Sequence, residues 1–262
     1  HTSLATAEED NYWGKVTPQE PHAGRDTYEV APPQKETGLS LVGWEFAASG
    51  YAAVWATENT REALFDAMTR RETYATTGPR IGLRFFGGWT FGEVDADGVR
   101  TVERGYASGV PMGGRLPSRP RDASTPTFLV WATKDASGAN LDRVQIVKGA
   151  LDAKGRIRER IYDVALSDPA RRKPSGIEPV GNTVDVARAR YVNSIGATEL
   201  RTTWRDPDFD PAEAAFYYVR VLEIPTPRWT AYDARRFGAE APAAGPLVIQ
   251  ERAYSSPIWY RP

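Results

Sequence analysis

The chain contains no cysteine. That absence excludes disulfides, thiolate zinc sites, iron–sulfur clusters and cysteine nucleophiles, and it leaves oxidising and reducing compartments equally open. Histidine is nearly as scarce, with only His1 and His22 among 262 residues. A Ser-His-Asp triad would need one of these two as its base, and no Gly-x-Ser-x-Gly elbow occurs, so serine-hydrolase chemistry is disfavoured. Gly-rich phosphate loops of Walker or Rossmann spacing are also missing. The longest apolar stretch, residues 39–56, is interrupted by Glu45 and Ser49 and does not read as a membrane span. Charge of one sign is lacking too. Thirty-three Lys and Arg stand against 34 Asp and Glu, a net charge of -1, so no global field draws the protein to nucleic acid or an anionic membrane.

What is present is ordinary in amount and informative in order. A hydrophobic content of 41% and a charged content of 26% suit a soluble globular protein with one large core or two smaller ones. Residues 51–81 predict a short strand over 52–56, a helix, and a Thr-Thr-Gly-Pro turn into a strand where Ile81, Leu83 and Phe85 alternate. Asn59 with Glu62 three positions later reads as a capping box. Leu64, Phe65 and Met68 share one helical face, and Arg70 and Arg71 suit the C-terminal end of the helix dipole. The order strand, helix, strand predicts an α/β unit. Upstream, residues 5–11 suggest a helix start, 16–38 a Pro-rich loop, and 39–46 a strand.

Beyond Gly78 the pattern turns to short strands and turns. Residues 95–98 read as a hairpin turn. Strands are expected over 127–132, 143–148, 156–164, 199–204, 215–224 and 246–250, with Pro-rich connectors between them, and the sum is a β-sandwich. In 216–224 both faces are mostly apolar, as in a central strand. The basic clusters at 115–121, 156–160 and 171–173 are interleaved with Pro, Ser or acidic residues and read as solvated faces.

Candidate chemistry is limited. Glu8, Glu9 and Asp10 lie near His1, and Glu58 follows a strand whose C-terminal end is where α/β enzymes place catalytic groups. Eight Trp and 12 Tyr on a β-rich scaffold suggest an alternative, a sandwich that stacks sugar rings as a carbohydrate- or ligand-binding module without catalysis. Three or more rings exposed in one plane would mark that reading. A further alternative takes His1 as an N-terminal copper ligand, with His22 as the second histidine of the brace.

Several segments carry a family likeness: residues 1–15, the block ending Tyr74-Ala-Thr-Thr-Gly-Pro-Arg-Ile81, Phe216-Tyr-Tyr-Val-Arg-Val221, and Ala253-Tyr-Ser-Ser-Pro-Ile-Trp259. Together they resemble the DUF3604 family, related to the PHP (polymerase and histidinol phosphatase) metallohydrolases. The resemblance implies a fold that is α/β plus all-β: residues 1–80 as the C-terminal end of a distorted (β/α)7 barrel, including the loop 16–38, and 81–262 as a β-sandwich-like domain. It implies divalent metal ions (Zn, Mn or Fe) activating water against a phosphoester or related ester of a small molecule. His1 would be the histidine of an Asp-x-His motif that ends the metal ligands, while Glu58, Arg61 and Arg80 match positions that would line the barrel mouth. The other ligands would come from a missing N-terminal barrel portion, in the same or a separate chain, without which this part is expected to be inactive. The segment 225–237 is expected to fold back as a loop. The family likeness points to the periplasm or secretion, with the cytoplasm as the alternative.

Overall fold

A computed structural model describes residues 50–262 except 98–99, 122–124, 153, 239 and 242–244, together with the backbone of four short strands, Thr6–Ala7, Trp13–Lys15, Glu29–Ala31 and Leu41–Val42. The chain divides into two compact units. One comprises 1–49, 181–194 and 225–250; the other comprises 50–180, 195–224 and 251–262. We refer to them as the small and the large unit.

The large unit is built from strands β1 (Tyr51–Val54), β2 (Thr73–Thr76), β3 (Gly82–Gly88), β4 (Gly109–Pro111), β5 (Thr127–Thr133), β6 (Leu141–Leu151), β7 (Ile157–Leu166), β8 (Glu199–Arg205), β9 (Ala214–Glu223), β10 (Arg252–Ser255) and β11 (Ile258–Tyr260). Its helices are α1 (Arg61–Thr69), α2 (Glu93–Asp97) and α3 (Thr101–Ser108). A seven-stranded sheet runs β7-β6-β9-β10-β2-β1, with β11 also on β9, and a four-stranded sheet runs β8-β5-β3-β4. All these pairings are antiparallel. The protein is thus mostly strand with few helices, and the strands expected over 127–224 stand where the alternation places them.

The two-residue period explains the core. In β9, Ala215, Tyr217, Val219 and Val221 are buried while Phe216, Tyr218 and Arg220 are half-buried on the other face. The buried set meets Leu83, Phe85, Phe128 and Val130 of the four-stranded sheet in one cluster, with the Phe128 and Tyr217 ring centroids 4.4 Å apart. Each such fully buried side chain contributes roughly 1.5–3 kcal/mol. The far face of the four-stranded sheet is covered as well. Phe86 and Leu129 pack with Phe91 and Ala96, and α3 comes so close that a Cβ at Gly105 would stand 2.5 Å from Phe86. Helices on a sheet on a sheet make a layered sandwich.

An ion pair crosses this core. Lys148, buried on β6, donates to Asp206 Oδ2 at 2.6 Å and to the Asp208 carbonyl at 2.7 Å. Tyr217 donates its hydroxyl to the same Asp206 oxygen at 2.7 Å. A buried charge is tolerable only when paired and hydrogen-bonded in this way, and removal of one partner from such a pair costs about 3–5 kcal/mol.

Several local expectations are corrected. The α1 N-cap is Thr60, not Asn59: its Oγ1 accepts from the Ala63 amide at 3.3 Å. Glu62 therefore lies in the first turn, where its charge suits the dipole without closing a capping box. The strand–helix–strand block is not one α/β unit: β1 pairs antiparallel with β2, a strand not expected from the sequence, while the expected strand with Leu83 and Phe85 is β3 of the four-stranded sheet. Within α1 only Ala67 is buried, so the helix does not cover a sheet face as a crossover helix must. Where the hairpin turn was expected, Glu93–Asp97 is helical, because Asp95 accepts from the Gly92 amide at 2.8 Å and Phe91 and Ala96 enter the core. Around 5–11, Thr6–Ala7 is a strand paired with Trp13–Lys15.

The small unit contains α4 (Trp229–Phe237), where a loop was expected. Its stop signal is legible: Arg235 and Arg236 in the last turn, then Gly238 in the left-handed conformation at φ 65. No helix among the described residues is long and apolar enough to cross a membrane.

One buried acid gives the large unit a pH signature. Glu223, at the end of β9 and 2% exposed, has its carboxyl pushed up from 4.5 to about 8 by burial, with the charges of Glu251 and Asp135 adding to it and Lys134 opposing. Between these two values the folded protein holds a proton that the unfolded chain has released. Stability therefore falls as pH rises from 4.5 to about 8 and is restored below that window. Urea unfolding across pH 4.5–8 is expected to show this decline and Glu223→Gln to flatten it; equal slopes in both proteins would refute the assignment.

Candidate ligand-binding site

The outer face of the seven-stranded sheet carries a row of rings. Residues paired directly across antiparallel strands point to the same side, and the register sets Phe216 of β9 opposite Gly149 of β6 and Trp259 of β11, Tyr218 opposite Val147, and Tyr254 opposite Arg220. Phe216 and Tyr218 have centroids 6.4 Å apart and planes within 12°. Trp259 lies 5.3 Å from Phe216, and Tyr254 lies 6.4 Å from Tyr218. Four rings thus run together along one face, with Trp259 exposed and the other three half-buried, short of the three exposed coplanar rings that would mark a sugar platform outright.

Gly149 makes room for the row. A Cβ there would stand 2.2 Å from Phe216 Cζ, so the Phe216 ring lies across the bare glycine backbone and occupies the space a side chain would fill. At the sheet end the row opens into a largely apolar cleft of about 330 Å³, lined by Phe216, Trp259, Leu151, Ile157 and Arg261. Trp259 is 39% exposed and Ile157 82%. A contiguous apolar patch of this kind on a soluble protein marks a place of interaction.

Polar groups border the rings. Glu159 faces the same side opposite Gly149. Arg220 donates to Gln145 at 2.8 Å, and Gln145 to Asp163 at 2.8 Å. The Tyr218 phenol is raised above its ordinary value by desolvation, then by the Glu159 charge. Rings that supply area and a polar border that fixes orientation form the usual constitution of a small-molecule site.

On the opposite face a second cleft, also about 330 Å³, is lined by Lys148, Arg158, Arg160, Asp208, Phe209 and Glu213. Each of its cations already has a carboxylate. Lys148 meets Asp206, Arg158 meets Glu213, and Arg160 Nη1 meets Asp208 Oδ2 at 2.5 Å. Tyr162 also donates to Asp208 at 2.6 Å. Burial raises the Tyr162 and Tyr217 phenols, and their carboxylate partners raise them further. Asp208 is lowered, first by the Tyr162 hydroxyl and next by Arg160. This network is internally closed, which suits holding strands together better than activating a substrate. The sequence reading of the 156–160 cluster as a solvated face agrees with it, since Arg158 and Arg160 are exposed.

The residues singled out from sequence lie elsewhere. Glu58 is exposed just before α1, accepting from Thr60 Oγ1 at 3.3 Å. Arg61 opens α1 and is exposed beside Phe65 and Met68 in a groove along the helix. Arg80 is exposed and fixed through its backbone, whose amide donates to Asp135 at 2.7 Å. Among the described residues no hydrogen bond or ion pair joins these three side chains. His1 and His22, and with them the metal and copper readings, lie outside the described residues. Within those residues no three His, Asp or Glu side chains gather closely enough to hold a metal ion, so they do not fit a metal centre.

The aromatic row was legible only in part. Phe216, Tyr218 and Trp259 stood in segments noted for their family likeness, but Gly149 carried no signal until the register set it beneath Phe216. Gly149→Ala is expected to lift the ring, alter the near-UV aromatic circular dichroism and cost about 1–3 kcal/mol; an unchanged spectrum and stability would show that the ring does not lie on the glycine.

Comparison with known proteins adds one match. The chain matches, over residues 1–262, the family described as "Protein of unknown function (DUF3604)". No curated protein and no solved structure matches it. Because the family match spans the whole sequence given, this chain belongs to the DUF3604 family.

Proposed function

We propose that the chain belongs to a metal-dependent hydrolase and that its large unit is the ligand-binding β-sandwich of that enzyme. The observation carrying the binding half is the row Trp259–Phe216–Tyr218–Tyr254 beside an apolar cleft. A pyranose ring has an apolar C–H face close to an aromatic ring in size. It packs on Trp259 and Phe216, with Glu159, paired across Gly149 from Phe216, as the neighbouring acceptor for its hydroxyls. A sugar, or a small ester carrying one, is the ligand class that uses both features.

The hydrolytic half follows from membership of the DUF3604 family together with our reading of that family as a relative of PHP-type metallohydrolases. In this reading His1, together with ligands from a barrel portion, would hold a divalent ion, which when bound would supply an activated water; no reaction step falls to the described residues. Glu58, Arg61 and Arg80 are solvent-facing, as residues at the mouth of such a site would be. Export to the periplasm accords with the same likeness.

Two measurements test the two halves separately. Calorimetric titration with cello-, xylo- and manno-oligosaccharides should reveal binding that Trp259→Ala weakens about tenfold, the size of one lost ring contact. No binding of any of them at millimolar concentration would overturn the sugar assignment. Metal content of the complete protein, by elemental mass spectrometry, should fall in His1→Ala while the fold is kept, and phosphodiester hydrolysis should fall with it. Full metal content in that variant would remove His1 from the ligand set.

A further inference from the structure

We propose that the small unit binds a doubly charged tetrahedral oxyanion, a phosphate or sulfate group, in an arginine-lined cleft between the turn at residues 185–190 and α4. The cleft measures about 430 Å³ and is lined by Arg188, Arg190, Tyr232, Asp233, Arg235 and Arg236.

Two separate segments deliver these cations, and the backbone fixes both. Reciprocal hydrogen bonds close the turn, from the Asp185 amide to the Arg190 carbonyl at 2.8 Å and back at 3.0 Å. Ala189 sits between the two arginines at φ 46, in the left-handed region that non-glycine residues seldom enter. Arg235 Nη1 donates to the Arg188 carbonyl at 2.7 Å and fastens the helix to the turn. Arg188 pairs with Asp185 Oδ2 at 2.8 Å. Among the described residues, Arg190 and Arg236 have no carboxylate partner; Arg236 has only the Phe237 ring, 5.6 Å away.

Charge then identifies the ligand. Among the described residues, four arginines less Asp185 and Asp233 leave +2 around the cleft, in a chain whose net charge is -1. The helix dipole accounts for Arg235 and Arg236 in the last turn of α4. It does not account for Arg188 and Arg190, which reach the same cleft from another segment. A tetrahedral dianion matches the excess charge, and its oxygens accept in pairs from guanidinium forks. This inference does not rest on the hydrolase reading or on the aromatic row, both of which concern other residues.

The test is calorimetric titration of the whole chain with inorganic phosphate and, separately, sulfate, at an ionic strength held constant with chloride. Saturable binding of at least one of them is expected, weakened about tenfold in the double variant Arg190→Ala/Arg236→Ala. A preference for phosphate over sulfate, or the reverse, assigns the natural group. Both arginines are exposed, so the far-UV circular dichroism should be retained. The pair Arg190→Lys/Arg236→Lys, which keeps the charge and loses the forks, should bind with intermediate affinity and replaces the alanine pair if that does not fold. The proposal fails if neither ion binds beyond the chloride control, or if the variants bind as the wild type does.

Discussion

The two-residue period of one strand, Ala214–Glu223, is the constraint on which the rest of the large unit depends. It lies at the centre of the seven-stranded sheet, paired with Leu141–Leu151 on one side and with the two C-terminal strands on the other. Because successive side chains leave a strand on opposite faces, one stretch of sequence builds two surfaces at once. Ala215, Tyr217, Val219 and Val221 close the core, and Phe216, Tyr218 and Arg220 form the outer face. A register slip of one residue would exchange them, exposing the core set and burying Arg220. The Lys148–Asp206–Tyr217 node guards against that slip, since its hydrogen bonds form only when Lys148 stands opposite Tyr217.

The two faces differ in a way that bears on function. On the core side the charges are matched within the protein, so that cleft has little left to offer a ligand. On the outer side the rings and aliphatic residues are matched by nothing in the large unit as described, and Gly149 lets Phe216 lie low over the sheet. Unmatched apolar surface bordered by hydrogen-bonding groups distinguishes a binding face from a scaffold. The arginine cleft of the small unit is the charged counterpart of the same argument, with two guanidinium groups that no carboxylate of the described residues offsets.

Sequence reading succeeded where the determining forces are local and failed where they are not. The strands over 127–132, 143–148, 199–204 and 215–224 were read from alternation, and alternation is all a half-buried antiparallel strand requires. Helix α2 was missed because an Asp-rich, Gly-ended segment favours a turn locally, while burial of Phe91 and Ala96 against Phe86 and Leu129 favours the helix. Helix α4 was missed because Pro225 and Pro227 dominated the reading, although Arg235, Arg236 and Gly238 carried its stop signal. The apolar residues of α1 were read correctly as one face, yet Phe65 and Met68 are exposed. Periodicity reveals that a face exists and says nothing about what covers it. Glu58, Arg61 and Arg80 were chosen for sequence position alone and share no contact, while the ring row came from pairings between segments distant along the chain.

By itself, then, the sequence excluded cysteine chemistry for this chain, disfavoured a serine triad and showed no phosphate loop of Walker or Rossmann spacing. It also determined where its strands run and which family it belongs to, because composition, period and motif are properties of the chain alone. Only the tertiary structure decided that Lys148 would find Asp206, 58 positions away, that Gly149 would lie beneath Phe216, and that arginines from two separate segments would share a cleft. Such pairings arise from the burial of long-range surfaces, and no local window of residues encodes which distant partner a buried charge or ring will meet.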